Sequence, residues 1–192
     1  MQSWPFDPLR PFSYGAIVAD PPWKFELRSK DQTKGHDRNP EAHYATMGEA
    51  EISALPVRDL AGKDCMLFMW TTWPHIEQGL RVMRAWGFRY ATGGAWVKRG
   101  TKGGLCFGTG YTLRSACEPF LLGTIGEPRT QSKSVRNVIE AVRREHSRKP
   151  PEMRAMVEQL LPDAFACELF AREPWPGHAV WGNETAKFSE SA

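Results

Sequence analysis

Apolar runs of four to seven residues alternate along this chain with polar or Gly/Pro-rich connections, and two segments switch from strand-like runs to helical spacing. Ala16 to Ala19 is the first run. Its β-branched residues predict a buried strand, and Asp20-Pro21-Pro22 ends it, because consecutive prolines neither donate to a ladder nor continue a helix. Cys65–Trp70, Phe88–Thr92, Ala95–Lys98, Cys117–Leu122, Asn137–Val142 and Phe165–Ala171 predict further strands, with Gly93-Gly94 read as a break between two of them. Ile76, Leu80, Met83 and Trp86 place a helix over Pro74–Trp86, closed by Gly87. Met153, Met156, Val157, Leu160 and Leu161 place a second after Pro150-Pro151, stopped by Pro162. Thr46 and Glu49 have capping-box spacing and predict a short helix ending before Pro56. Strands alternating with helices in this way predict an α/β fold, a twisted mostly parallel sheet with helices on both faces.

The remaining stretches carry no period. Met1–Ser13 reads as an extended lead-in, Lys24–His43 as a long polar loop with Arg28 and Lys30, and Arg99–Gly110 as a glycine-rich loop suited to contacting a substrate. A chain of 192 residues with 41% hydrophobic and 24% charged residues predicts one domain over residues 1–192, its core from about 14 to 184. The net charge of +3 permits a polyanionic partner. No apolar run reaches membrane-spanning length and the N-terminus lacks a signal pattern, so a cytoplasmic protein is expected. Four cysteines without a Cys-x-x-Cys pair read as buried thiols, and the five histidines show no ligand spacing, so no metal is expected.

Asp20-Pro21-Pro22-Trp23 is where this pattern acquires chemistry. It holds a carboxylate at the carboxyl end of a buried strand, the position where open α/β sheets bind ligands. An exocyclic nucleobase amine is a weak nucleophile, its lone pair being delocalised into the ring. Asp20 and the carbonyl of Pro21 can accept its two N–H bonds and favour a tetrahedral nitrogen, and Pro22 stiffens the turn. Trp23 offers a stacking wall for an extruded base.

This tetrapeptide after an apolar strand resembles motif IV of amino-methyltransferases, specifically the MT-A70 family of adenine-N6 methyltransferases. Tyr44-Ala-Thr-Met47, Trp96-Val-Lys98, Ser147-Arg-Lys149-Pro, Glu168-Leu-Phe-Ala-Arg172 and Trp181-Gly-Asn183 match the family's order from about Tyr14 to Glu184. The resemblance implies a Rossmann-like class I methyltransferase fold, permuted so that the catalytic turn comes first and the cofactor strand last. It implies S-adenosylmethionine as cofactor. Ser147 and Lys149 would approach its methionine portion, Glu168, Leu169 and Phe170 would form a floor, and Arg172 and Asn183 would contact the ribose region. Asp20 would border both ligands. Trp23 and Tyr44 would line the base pocket, Arg28 and Lys30 would touch nucleic acid from the lid, and Lys98 would meet a phosphate or base edge, or lie solvated at a strand end.

The chain departs from the Gly-rich methyltransferase pattern in lacking that loop, so cofactor binding falls to side chains. It shows no separate recognition module either, which leaves sequence selectivity to loops, a second copy of the chain or an accessory subunit. DNA is the expected polymer, because the chain is small and carries no RNA-binding module. The alternatives are adenosine in RNA, a catalytically silent nucleic-acid-binding subunit of the same fold, and a cytosine-N4 or protein-amine methyltransferase.

Overall fold

The computed structural model describes residues 4–24, 46–110, 112–145 and 147–188. Seven strands form one sheet: β1 (Tyr14–Ala19), β2 (Ala61–Trp70), β3 (Arg89–Arg99), β4 (Cys117–Ile125), β5 (Val138–Val142), β6 (Ala166–Leu169) and β7 (Ala179–Trp181). Their order is β5-β3-β4-β2-β1-β6-β7. β1 lies between β2 and β6 and runs parallel to both, Ile17 pairing with Leu67 and Cys167. β4 alone is inverted, antiparallel to β2 and to β3. Its first residues therefore lie at the edge where the other strands end, and that edge carries the site described below.

The sheet is covered on both faces, as strand alternation requires. Ile17, Ala19, Leu67 and Met69 pack on one face with Ile52 of α1 (Glu49–Ser53), with Val82 and Met83 of α2 (Ile76–Ala85), and with Trp86. Phe6 and Leu9 of the N-terminal segment join this layer, so the lead-in belongs to the core. Ala16, Val18, Met66, Phe68 and Trp70 face the other way, onto Met153, Met156 and Val157 of α3 (Glu152–Leu160). Among the described residues no helix is long and apolar enough to cross a membrane.

Several boundaries depart from the sequence pattern. Gly93-Gly94 does not interrupt a strand: β3 runs unbroken through both, because the glycines admit neighbouring groups. A Cβ on Gly94 would lie 2.2 Å from the Asn137 carbonyl oxygen and 2.5 Å from Phe120. The first helix is capped two residues later than the Thr46/Glu49 spacing suggests; Gly48 is its N-cap, and the Glu51 carboxylate accepts the Gly48 N–H at 2.7 Å. Pro74 lies in a 3-10 turn, Trp73–His75, ahead of α2. β6 stops at Leu169 because Phe170 turns to φ 62°. Of the cysteines, Cys65 and Cys167 are buried, while Cys106 and Cys117 are only half-buried; all four are free thiols. Burial pushes the Cys65 thiol up to about 12, so it is inert at neutral pH.

Gly94→Ala is expected to cost about 1–3 kcal/mol by overpacking against Asn137 and Phe120. Gly104→Ala, where a Cβ meets nothing within 4 Å, is expected to stay within about 0.5 kcal/mol of the parent. Urea denaturation of the two variants measures the difference.

Candidate active site

Asp20 leaves the end of β1 with its N–H directed to the Leu169 carbonyl at 3.3 Å, which fixes the turn against β6. The Pro21 carbonyl accepts the Trp23 N–H at 2.9 Å, using one of its two lone pairs, and the Pro22 carbonyl accepts the Met47 N–H at 2.9 Å. Trp23 is not an open stacking wall. The residue is 5% exposed, its indole N–H donates to the Trp70 carbonyl at 3.2 Å, and its ring stacks on His75 at 5.9 Å between centroids. Indole and carbonyl satisfy each other best inside the core, and the turn carries the ring there. His75 is held in turn by Thr72 Oγ1 at 2.7 Å from Nδ1 and by the Lys24 carbonyl at 3.2 Å from Nε2. Burial lowers its pKa and keeps the ring neutral, with Nε2–H donating to the carbonyl and Nδ1 accepting from Thr72. His75 thus supports the turn from behind.

The centre of the site is a row of alternating charges. Lys149, from the segment before α3, places Nζ 2.7 Å from Asp20 Oδ2 and 3.1 Å from Glu118 Oε1. Lys98, near the end of β3, places Nζ 2.5 Å from Glu118 Oε2. The side chains of Asp20, Lys149 and Glu118 are only 16%, 16% and 15% exposed. Trp70 lies under Lys149 and Trp96 under Lys98, at 5.8 and 4.7 Å from nitrogen to ring centroid. Burial raises the Asp20 pKa, Lys149 opposes the rise, and Glu118 adds to it. Glu118 is equally buried, yet Lys149 and Lys98 together outweigh burial and hold its carboxyl below its ordinary value. Lys149 is driven up by Asp20 and Glu118 against the burial that would lower it. Lys98 is therefore bound to Glu118 rather than presented to a phosphate or to solvent.

A second network holds the segment that carries Lys149. Glu173 accepts from Arg144 at 2.9 Å and from Arg148 at 2.7 Å, and Arg144 also donates to the Lys149 carbonyl at 2.9 Å. Glu168 near the end of β6 pairs with Arg154 of α3 at 2.7 Å, and burial raises its pKa against that pairing. Arg172 pairs with Glu184 at 3.1 Å. Ser147 and Phe170 both have left-handed backbones, at φ 66° and 62°, and both line the cleft.

Asp20, Ser147, Lys149, Glu168, Phe170 and Arg172 therefore converge on one cleft. Leu169 does not join them, being wholly buried in the core with only its carbonyl turned to Asp20. Asn183 is exposed and is not among the cleft residues. Tyr44, Arg28 and Lys30 lie outside the described residues. Glu118 was missing from the sequence reading of the site; its one signal was an acidic residue ahead of an apolar run. Arg144, Arg148 and Glu173 gave no motif at all. Among the described residues no group of three or more His, Cys, Asp or Glu side chains is arranged to hold a metal ion.

Replacing Glu173 by Gln would leave two half-buried arginines without their carboxylate. A loss of about 1–3 kcal/mol is expected, with faster proteolysis between residues 143 and 150, both read by urea denaturation and limited digestion.

Comparison with known proteins agrees with this geometry. The chain is 34% identical over 174 residues to an N(6)-adenosine-methyltransferase MT-A70-like protein of Arabidopsis thaliana, covering 88% of this chain and 23% of that one. It is 31% identical over 186 residues to the type II methyltransferase M.MunI of a Mycoplasma species, covering 89% and 77%. To human METTL4, an N(6)-adenine-specific methyltransferase, it is 27% identical, covering 92% and 38%. The chain thus spans about a quarter of the length of the plant relative and three quarters of the bacterial one. The MT-A70 family profile matches residues 14–184, from the first strand through the Trp-Gly-Asn segment, so the carboxylate turn and the cleft around Lys149 both fall within it, and the chain belongs to the MT-A70 family.

Proposed function

We propose that this protein transfers a methyl group to the N6 amine of adenine in nucleic acid, DNA before RNA, with S-adenosylmethionine as donor. The observation that carries the reading is the Asp20 carboxylate, held at the end of β1, beside a cleft, and only partly compensated by Lys149. The cleft's donor set fits an amino-acid-bearing nucleoside. Lys149 and Arg172 are cations for a carboxylate, Asp20 and Glu168 are acceptors for an ammonium or hydroxyls, and Phe170 is a ring for a base. Lys149 spends two of its three N–H bonds on Asp20 and Glu118, which leaves the third for a ligand carboxylate.

Held by Lys149, Arg172, Asp20, Glu168 and Phe170, the sulfonium donor would supply an electrophilic methyl group, its sulfur retaining the electron pair of the C–S bond. The protein positions the acceptor. Asp20 and the free lone pair of the Pro21 carbonyl accept the two amine hydrogens and draw the nitrogen toward tetrahedral geometry. Trp23, locked by Trp70 and His75, keeps the turn rigid, so the acceptors need not reorganise. For DNA the support is the adenine-specific name of one relative and the type II methyltransferase name of the bacterial relative, of which the chain covers 77%.

A surface beside the site suits a polymer. The connection from Arg99 to Cys117 holds Arg99, Lys102 and Arg114 and no acidic residue. Phe107 is 79% exposed, and the Arg114 guanidinium lies 5.3 Å from its ring centroid. An exposed ring paired with a cation suits base stacking beside a phosphate.

Mass spectrometry of nucleosides after incubation with S-adenosylmethionine and either DNA or RNA tests the proposal. N6-methyladenine is expected, from DNA in larger yield. A dominant yield from RNA would reverse the polymer assignment, and no methylated adenine from either would sink the reading. Asp20→Ala is expected to lower single-turnover methyl transfer on the order of 10²-fold, as loss of a preorganised transition-state partner does. A parental rate would remove Asp20 from the mechanism. Phe107→Ala should weaken oligonucleotide binding by about 1–3 kcal/mol. Arg114→Ala should reduce the salt slope of that binding by about one. Fluorescence anisotropy across a potassium chloride series checks both.

A further inference from the structure

Asp20, Lys149, Glu118 and Lys98 form a row in which each charge touches the next of opposite sign. The row is not evenly shared. Asp20, at one end, is ion-paired among the described residues with Lys149, which it shares. Glu118 has the rest of Lys149 and also Lys98. β-sheet register fixes this arrangement: Trp96 of β3 pairs with Glu118 of β4, and Lys98 stands two residues further along the same face. The Lys98 N–H donates to the Ala116 carbonyl at 2.9 Å and secures that end. Other charged groups acting on Asp20 are Arg172, beyond the end of β6, and Glu168 on β6.

We infer that Lys98 and Glu118 are positioning residues that set the basicity of Asp20 by controlling how much of Lys149 it receives. Resting on the adenine-methylation reading, this extends that mechanism to two residues that need not touch either ligand. A carboxylate with an ammonium to itself is a weakened acceptor for an amine N–H, and a buried carboxylate with none becomes protonated and cannot accept. Glu118 holds Asp20 between these limits by drawing on the same ammonium, and Lys98 keeps Glu118 from drawing too much. The proton lost by the amine as its N–C bond forms then passes to Asp20, whose carboxylate is ionised yet basic enough to take it. Burial and the Glu118 charge both favour that uptake.

The signs of two substitutions separate this idea from a merely structural role. Glu118→Gln removes the competitor, gives Lys149 to Asp20 and should lower the midpoint of Asp20 titration. Lys98→Met leaves Glu118 leaning on Lys149 alone and should raise it. Each shift is expected to be on the order of tenfold in the acid dissociation constant. The readout is 13C NMR of carboxyl-labelled aspartate in the protein without ligands, with the Asp20 resonance identified by its loss in Asp20→Asn. Lys98→Arg, which keeps the charge, should restore the parental midpoint. In a Lys149→Met background the Lys98→Met shift should collapse, because the shared ammonium is gone.

The acid limb of the single-turnover pH–rate profile should follow the same order, since rate falls as Asp20 is protonated: Glu118→Gln moves it to lower pH, Lys98→Met to higher. Shifts in one common direction, unmoved midpoints in folded variants, or a Lys98→Met shift undiminished without Lys149 would overturn the inference. If Glu118→Gln fails to fold, the Lys98→Met and Lys98→Arg pair still decides, with a raised and a restored midpoint expected. Opposed NMR shifts in a protein that methylates no oligonucleotide would uphold the charge sharing and discard the adenine reading instead.

Discussion

Lys149 meets Asp20 and Glu118 where little water reaches, and ions are retained in such places only when each finds a partner of opposite sign at hydrogen-bond distance, since desolvation costs several kcal/mol per ion. That requirement explains much of the surrounding structure. Arg144 fixes the Lys149 carbonyl and so aims its side chain, and Glu173 fixes Arg144. Trp70 and Trp96 line the two lysines with ring faces, which favour an ammonium without taking a proton from it. The inverted strand is the largest consequence. If β4 ran parallel like its neighbours, Glu118 would lie at the opposite end of the sheet, roughly 25–30 Å away at strand rise, and neither lysine would reach it.

The aromatic side chains divide into those that build the site and one that stands open to solvent, and Trp23 of the Asp-Pro-Pro-Trp turn belongs to the first group. Trp23 has its N–H on the Trp70 carbonyl and one face on His75, and Trp70 in turn packs edge-on against Trp96 and Phe120. Trp70, Trp96 and Phe120 thus form one aromatic cluster on the sheet face that bears Lys98 and Glu118, while Trp23 packs in the layer on the opposite face and is tied to that cluster through the Trp70 carbonyl. Close packing of both layers holds the turn and the strands in a fixed relation. The exposed ring at Phe107 is the counterexample, since it carries a cation on its face and no core behind it.

Periodicity made β1, α2 and α3 legible, because each buries a face whose spacing survives in one short window of sequence. Asp20 was legible too, as an acid held by two prolines after an apolar run. Strand direction was not. Nothing within Cys117–Ile125 distinguishes a parallel strand from an antiparallel one, so Glu118 could not be placed beside Lys149. The partner of Lys98 is twenty residues away and that of Asp20 is 129 away, separations at which local pattern is silent. Gly93-Gly94 misled for a different reason: glycine reads locally as a breaker, whereas here its missing side chain lets Asn137 and Phe120 close on an unbroken strand. Trp23 and Leu169 show the converse. Each lies in a segment matching a functional motif, but which side of the backbone faces ligand is decided by packing.

The lack of a Gly-rich cofactor-binding motif in the sequence also has a structural counterpart. The helix facing the cleft, α3, begins directly after Pro150-Pro151, neither of which has an N–H, so its N-terminus offers fewer backbone donors to an anion than helix starts ordinarily do. The sharp turns beside the cleft are made by Ser147 and Phe170 in left-handed conformation, at about 1–3 kcal/mol for such a residue. Neither is relieved by glycine, and both side chains line the cleft instead. In the proposed function anion capture would fall to the Lys149 ammonium instead of backbone amides, and that ammonium is already the counterion of Asp20. Ligand binding and acceptor strength would then be linked through one group. A ligand carboxylate drawing on Lys149 would withdraw compensation from Asp20 and make the carboxylate of the turn a stronger acceptor. A backbone cradle could hold the same anion but could not pass its presence on to the acceptor.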